Sequence, residues 1–305
     1  MKNNKLIISD VTLRDGNHAV NHSLNVNVIK RYCLEAEKVN IRVVEVGHGN
    51  GLGASSLAIG RSAITDELAL KTARKNLKKT KLSIHSIPGF SRIDDLKMAI
   101  DCGVDIFRLG TNATEIDTLH SQIEFCQKNK LEVWGVLMMA HLVYNESKDY
   151  LKQVKILVDQ GIKTIVIMDS AGIFLPGDVA EIFSNIKKKF NIQLGFHGHN
   201  NFGCAVWNSV AAYRNGANII DASIKGFGAG AGNTQIDVLI TVLDRLKIRT
   251  NIDTGDLYTL AKIFPDILKK NKINYKNAFS EPKNIMSANY GLFSGFASKV
   301  DYYSE

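Results

Sequence analysis

The 305-residue sequence lacks any long apolar run. No stretch approaches the roughly 20 apolar residues that a membrane-spanning helix needs. The N-terminus, MKNNKLIISD, passes from a polar start straight into a strand-like segment, which is not the pattern of a cleaved leader. Only four prolines are present, and no linker, internal repeat or low-complexity tract interrupts the chain. We therefore expect a soluble, cytoplasmic protein that makes no membrane contact.

Cysteine is also scarce, and its spacing is uninformative. The four cysteines form no Cys-x-x-Cys or other paired pattern, and they stand at Cys33, Cys102, Cys126 and Cys204. A disulfide framework and a zinc knuckle are therefore excluded as organising features. This usage is typical of a reducing compartment.

Acidic residues are outnumbered, with 30 Asp and Glu against 38 Lys and Arg, so the formal net charge is +8. The lysine-rich runs at 72–81, 187–189 and 269–276 are scattered, which is typical of solvated helix faces. No nucleic-acid-binding motif accompanies them, so we expect no nucleic-acid partner. The 45% hydrophobic content supplies a sizeable core and excludes general disorder.

Short β-branched runs alternate with longer stretches of helical periodicity. The runs predict eight strands, at 5–11, 42–47, 81–87, 104–110, 131–139, 163–169, 192–199 and 218–224. Strands that alternate with helices pair in parallel through right-handed crossovers, and eight such units in one chain match an α/β fold of the (β/α)8, or TIM, barrel type. We predict a catalytic barrel over residues 1–250 and a helical C-terminal segment over 251–305.

An His-x-His pair closes the seventh predicted strand, in the sequence HGHNN at 197–201. Residues i and i+2 of a strand point the same way, so His197 and His199 present both imidazoles on one face. Asp15, in TLRDGNH after the first strand, adds a carboxylate as third ligand. Two nitrogens and one oxygen suit Mn²⁺, Mg²⁺, Fe²⁺ or Zn²⁺ and leave open positions for substrate.

A charged residue interrupts the apolar second strand, in VVEVG. A carboxylate buried there persists only when it is paired or ligates an ion, so Glu45 needs a partner, and Arg14 is a plausible one. The glycine-rich loops at 48–56 and 226–233 follow the second and eighth strands. They are either anion sites or simple turns.

Together these segments resemble the metal-dependent lyases and synthases that carry an Asp-Arg-Glu set and an His-x-His pair on a (β/α)8 barrel. This group includes hydroxymethylglutaryl-CoA lyase, the isopropylmalate and homocitrate synthases and the 4-hydroxy-2-oxovalerate aldolases. The detailed match is to the aldolase family, in the ordered segments DVTLRDGNHAV, EVGHGNGLGASS, LMMAH, MDSAG, HGHNN and GFGAGAGN. The resemblance implies reversible cleavage of a 4-hydroxy-2-oxo acid into pyruvate, or a related 2-oxo acid, and an aldehyde.

The same resemblance implies the ligands of a metal ion. Asp15, His197 and His199 would hold a divalent cation, typically Mn²⁺, with Mg²⁺, Co²⁺ and Zn²⁺ as the alternatives. Arg14 would stabilise the enolate oxygen, and Glu45 would orient Arg14.

Further implied roles concern the substrate. His18 would be the base that acts on the 4-hydroxyl group, and Ser170 would help to hold the carboxylate of the 2-oxo acid. Arg14 and His199 would also contact the substrate. The aldolases carry a tyrosine near the C-terminus, over the active site, and in NYGLFSGF the candidate is Tyr290.

Partners and rival functions follow from the same comparison. The resemblance implies that the C-terminal region contacts an acylating acetaldehyde dehydrogenase. Since this chain is shorter there, such a partner and assembly into a homo-oligomer both stay open. One alternative is a sister enzyme that acts on an acyl-CoA, but GFGAGAGN lacks the cysteine of the CoA lyase. The other alternative is a metal-binding scaffold without turnover, which the intact Arg14 and His18 disfavour.

Overall fold

A computed structural model describes residues 6–145, 149–275 and 281–296. Eight parallel strands form a closed barrel in sequence order. Their bounds are β1 Ile7–Leu13, β2 Val43–Val46, β3 Lys81–Ser86, β4 Ile106–Asn112, β5 Glu132–Met138, β6 Thr164–Asp169, β7 Gln193–Gly198 and β8 Ile219–Ala222. The predicted TIM barrel is confirmed. Residue 5, where we predicted that the first strand begins, lies outside the described residues.

Helices follow the strands and cover the outside of the barrel. Their bounds are α1 Val26–Val39, α2 Asp66–Asn76, α3 Ile93–Asp101, α4 His120–Lys128, α5 His141–Asn145, α6 Tyr150–Asp159, α7 Pro176–Lys189, α8 Ala205–Arg214, α9 Ile236–Arg245, α10 Thr254–Lys270 and α11 Pro282–Asn289. Helix α1 shows how the sequence sets such bounds. The side chain of Asn25 accepts hydrogen bonds from the first free amides, and Asn40 ends the helix in the left-handed conformation, at φ 64°.

The C-terminal part of the chain shares the core of the barrel. Leu257, Leu260, Phe264 and Leu268 on α10 are buried in the same hydrophobic cluster as the barrel helices. The ring of Phe264 packs edge-on to Tyr32 of α1, with centroids 5.5 Å apart. The predicted division at residue 250 stays a prediction, and residues 276–280 and 297–305 of that segment lie outside the described residues.

The interior of the barrel is layered. Its lower part is a compact apolar cluster of Val43, Ile106, Trp134, Val136, Val166, Met168 and Ile219. Side chains two residues further along the same strands point to the same interior, one layer closer to the C-terminal ends. In that layer lie Glu45, Arg108 and Asp221, each at most 1% exposed. The sequence thus places charge directly above an apolar floor.

Within the described ranges, no helix combines the length and apolar character that crossing a bilayer requires.

Candidate metal centre and catalytic pocket

Three side chains that could bind a metal ion meet at the C-terminal mouth of the barrel. Asp15 follows β1, His197 lies in β7 and His199 comes directly after it. Each offers one ligand atom, and these atoms lie within 4.8 Å of one another. All three residues are at most 2% exposed. The structure therefore brings together the three ligands that the sequence pattern suggested.

The free nitrogen atoms of these histidines fit a metal ion. Nδ1 of His197 lies 3.0 Å from a carboxylate oxygen of Asp221. Because the carboxylate can only accept, Nδ1 carries the proton and Nε2 presents its lone pair. Nε2 of His197 and both ring nitrogens of His199 are buried with no hydrogen-bond partner in the described part of the chain. Buried nitrogens in this state are costly unless a ligand satisfies them.

The protonation of the ligands also suits a cation. Burial would raise the pKa of Asp15, but the neighbouring Arg14 guanidinium holds that pKa well below its usual value. Burial lowers the pKa of His199 to about 3, with a smaller contribution from Arg14. Asp15 therefore offers a carboxylate and His199 a neutral imidazole at neutral pH, the forms that bind metal.

The glycine-rich loop after β8 holds Asp15. The backbone N–H of Ala229 and the side-chain amide of Asn233 donate to Oδ1 of Asp15, at 3.1 and 3.0 Å. A Cβ atom at Gly228 would lie 2.3 Å from the Asn233 amide and 2.9 Å from Asp15, so only glycine fits there. Of the two interpretations of this loop, the structure favours the anion site, with one backbone amide and one side-chain amide donating to a protein carboxylate.

Arg14 connects the metal ligands to Glu45. Its Nε donates to Glu45 and its Nη1 to Asp15, each at 2.6 Å. Nη1 also donates to the carbonyl oxygen of Gly49, at 3.2 Å. Nη2 of Arg14 is buried and has no acceptor among residues 6–145, 149–275 and 281–296. One donor of this guanidinium is thus left for a substrate oxygen.

A chain of buried ions continues below Arg14. Nη1 of Arg108 lies 3.1 Å from the second oxygen of Glu45, and Nη2 of Arg108 pairs with Asp221. Asp221 in turn holds His197. Arg14, Glu45, Arg108, Asp221 and His197 therefore form one connected network, which links β1, β2, β4, β8 and β7.

His18 lies on the turn after β1, beside the ligands. Burial lowers its pKa to about 4, and Arg14 and His48 contribute to that shift while Asp15 opposes it. Its ring rests against the backbone of Gly49, where a Cβ would come within 2.5 Å. His18 is therefore a neutral imidazole at neutral pH, able to accept a proton.

Two further histidines stand behind His18. The ring of His22 stacks on that of His48, with centroids 3.6 Å apart, and meets His18 edge-on at 5.2 Å. The amides of Gly49 and Asn50 donate to Nδ1 of His22 and of His48. These bonds fix both rings as neutral neighbours of His18.

Ser170 follows β6 at the same mouth. Its hydroxyl oxygen accepts a hydrogen bond from the backbone N–H of Met139, at 2.9 Å, and the residue lines a cavity beside the metal ligands. The hydroxyl proton can therefore be donated to a substrate oxygen.

Tyr290 is the site residue that the structure corrects. It ends α11 and is 70% exposed, and it does not line the cavity. Phe293 is the aromatic residue that reaches the site, edge-on to His18 and to His199 with centroids 5.9 Å away in each case. The turn at Gly291, φ 66°, redirects the chain between the two positions.

Several residues of the site were missed in the sequence, namely Arg108, Asp221, Asn233 and Phe293. Two of them carried a signal. Arg108 in IFRLG and Asp221 in NIIDASI are charges inside apolar strands, which is the same signal that singled out Glu45.

Known proteins are similar to this chain over most of its length. A family model described as HMGL-like matches residues 5–264. A 4-hydroxy-2-oxovalerate aldolase from Pectobacterium atrosepticum is 44% identical over 97% of this chain and 84% of its own length. The protein of the same name from Spirochaeta aurantia is 45% identical over 97% of this chain and 85% of its own.

A likeness to solved structures extends to distant proteins. The carboxyl transferase domain of pyruvate carboxylase from Rhizobium etli, solved with 3-bromopyruvate, has a TM-score of 0.82. Only 13% of residues are identical over 97% of this chain and 52% of that one, so this likeness shows the barrel fold alone.

Proposed function

The chain belongs to the HMGL-like family, and we propose on that basis that it is a divalent-metal-dependent aldolase. The reaction is the reversible cleavage of a 4-hydroxy-2-oxo acid, such as 4-hydroxy-2-oxopentanoate, into pyruvate or a related 2-oxo acid and an aldehyde. The curated relatives that carry the aldolase name are 41–45% identical to this chain. The observation that carries the proposal is the triad of Asp15, His197 and His199 beside the unused donor of Arg14.

The chemistry requires a place for a developing negative charge. Breaking the C3–C4 bond leaves an electron pair that delocalises onto the C2 oxygen. A divalent cation held by Asp15, His197 and His199 supplies Lewis-acid stabilisation of that oxygen, worth several kcal/mol. Mn²⁺ is the ion we propose, since an oxygen and two imidazoles suit it.

Arg14 supplies a second positive group at the same place. Its Nη2 is a buried donor, and Glu45 fixes the guanidinium through a hydrogen bond of 2.6 Å. A donor fixed in advance stabilises the enolate oxygen without reorganisation, because its position is already set before the charge develops. Glu45 is therefore a positioning residue, and Arg14 is a catalytic one.

His18 completes the set as the base. As the C3–C4 bond breaks, the 4-hydroxyl proton passes to the neutral imidazole of His18 and the C4–O bond becomes the aldehyde carbonyl. A positioned general base typically contributes about 10²- to 10⁴-fold to the rate. The hydroxyl of Ser170 donates to the carboxylate of the oxo acid and so fixes the orientation of the substrate.

A sister activity on an acyl-CoA is less well supported, because the loop after β8 carries no cysteine and its amides are used to hold Asp15. We place the reaction in the cytoplasm. An acylating acetaldehyde dehydrogenase that receives the aldehyde, and assembly into an oligomer, belong to the same proposal. Co-purification with such a dehydrogenase and light scattering test them.

The decisive experiment measures pyruvate release from 4-hydroxy-2-oxopentanoate by purified protein, with coupling to lactate dehydrogenase. We expect activity with Mn²⁺, loss of activity after chelation and recovery when the ion is restored. Asp15→Ala and His197→Ala should be inactive while their circular dichroism spectra stay unchanged. Turnover that survives chelation and both substitutions would contradict the proposal.

A further inference from the structure

A cavity of about 630 Å³ opens beside the candidate metal centre. We call it the side cavity. It lies between the loops after β3, β4 and β5 and the C-terminal segment after α11. Its lining includes the large apolar side chains of Phe90, Met138, Leu142, Leu292, Phe293 and Phe296. None of the catalytic steps described above uses these apolar side chains.

The side cavity adjoins the reacting centre at Phe293. Phe293 lines the cavity and also lies edge-on to His18 and His199, at 5.9 Å from each ring. His18 is the base for the hydroxyl on C4, so C4 of the substrate lies beside Phe293. A substituent on C4 therefore extends along Phe293 into the side cavity. That substituent is the part of the substrate that leaves as the aldehyde.

The wall that carries Phe293 is held in place by hydrogen bonds. The N–H and the hydroxyl of Ser294 donate to the carbonyl oxygen of Ser170, at 3.0 and 3.1 Å. Nε2 of His141 lies 2.9 Å from the carbonyl oxygen of Gly291. These bonds tie the segment to the loops after β6 and β5. The segment that carries Phe293 is thus fixed in place at the mouth of the barrel.

The polar residues that line the cavity at the end of β4 and after it already have partners. The amide of Asn112 donates to Glu115 at 3.4 Å, and the hydroxyls of Thr111 and Thr118 lie 3.2 Å apart. Because they bond to one another, they do not call for a polar substituent. The cavity therefore favours an apolar occupant over a hydroxylated one.

From this geometry we propose that the preferred substrates carry an unbranched apolar chain of several carbons on C4. The inference rests on the proposed function and names its substrate class. Cavities of roughly 300–1,000 Å³ enclose ligands of drug size. A methyl group, as in a five-carbon acid, would leave most of the side cavity unfilled. Each buried methylene strengthens binding by an amount equivalent to about fourfold in affinity.

The test is a series of unbranched aldehydes, from acetaldehyde to hexanal, condensed with pyruvate in the presence of Mn²⁺. We expect kcat/KM for the aldehyde to rise about threefold to fourfold with each methylene. A flat or falling series overturns the proposal. A second series holds acetaldehyde constant and lengthens the 2-oxo acid from pyruvate to 2-oxohexanoate. A rise only in this second series also overturns it, because the chain would then extend from C3.

Paired variants place the effect in the side cavity. Thr118 and the adjacent Asp117 are both exposed, but only Thr118 lines the cavity. Thr118→Phe should lower the ratio of kcat/KM for hexanal to that for acetaldehyde at least tenfold, and Asp117→Phe should leave the ratio unchanged. Equal ratios in the two variants overturn the proposal. Absence of condensation with every aldehyde would instead remove the aldolase function itself, so the two failures are distinguishable.

Discussion

Asp221 lies 3.0 Å from Nδ1 of His197 and thereby decides which nitrogen of that imidazole faces Asp15. Arg108 fixes this carboxylate by an ion pair. Burial would raise the pKa of Asp221, but the charge of Arg108 and the hydrogen bond with His197 hold it below its ordinary value. A ligand histidine whose other nitrogen is held in this way is oriented before the metal arrives. The hydrogen bond between Asp221 and His197 should therefore strengthen metal binding.

Asp221→Asn should weaken Mn²⁺ binding by about 10- to 100-fold, because the amide can donate to Nδ1 and so favour the wrong tautomer of His197. Isothermal titration calorimetry gives the affinity. Asp244→Asn, an exposed position on α9, is the matched control and should bind as the parent does. An Asp221→Asn variant with unchanged affinity would show that His197 needs no such partner.

His18→Ala should lower kcat by about 10²- to 10⁴-fold with little loss of bound Mn²⁺. The reason is that His18 acts on a proton and is not one of the three ligands. Steady-state kinetics and metal analysis on the same preparation separate the two roles. His120→Ala, at an exposed histidine, should change neither quantity. If metal content falls in step with kcat, His18 is a ligand.

Glu45→Gln should destabilise the fold by about 3–5 kcal/mol, because it leaves the buried guanidiniums of Arg14 and Arg108 with less negative charge. Urea unfolding of the metal-free protein measures the loss. Asp159→Asn, which breaks an exposed pair with Lys155, should cost at most about 1 kcal/mol. Similar losses in the two variants would mean that the buried network adds no stability beyond that of a surface pair.

His85→Leu should flatten the dependence of stability on pH below about pH 6.5. Burial, together with Arg14 and Arg108, lowers the pKa of His85 well below its usual 6.5. The unfolded chain therefore takes up a proton on this ring before the folded chain does. The contribution of His85 to the free energy of unfolding is therefore present above pH 6.5 and is lost as the pH falls.

Urea midpoints of the metal-free protein at pH 7.5, 6 and 5 test this. The free energy of unfolding should depend less steeply on pH in His85→Leu than in the parent, by the equivalent of up to one bound proton. His120→Leu, at an exposed ring, should keep the pH dependence of the parent. A slope that is the same in all three proteins would indicate that His85 is protonated equally in the folded and unfolded chains.

Much of the fold could be predicted from the sequence, because the local sequence patterns all indicated the same alternation of strands and helices. The apolar runs predicted all eight strands, and the structure has a strand at each of those places. The bounds differed at the ends, since β1 extends to Leu13 and β8 covers only Ile219–Ala222. Strand ends depend on ladder hydrogen bonds with neighbours, which a single segment does not encode.

The site could be predicted from the sequence where its residues lie on one strand or one loop. His197 and His199 share a strand end, so their spacing alone placed them side by side. The ion network could not be predicted from the sequence, because Arg108 meets Asp221 only when β4 and β8 face each other across the closed barrel. Phe293 was missed in favour of Tyr290 because a turn at Gly291 decides which ring points inward.

The formal charge of the buried ion network predicts the order in which the metal ion and the oxo acid bind. Arg14 and Arg108 contribute two positive charges, and Asp15, Glu45 and Asp221 contribute three negative ones, so the mouth of the barrel carries a formal charge of −1. An oxo acid brings a further negative charge and is repelled. A dication turns the balance to +1 and makes the mouth attractive to anions. We therefore expect loading of the ion to precede capture of the acid, and free acid to bind poorly to the metal-free protein.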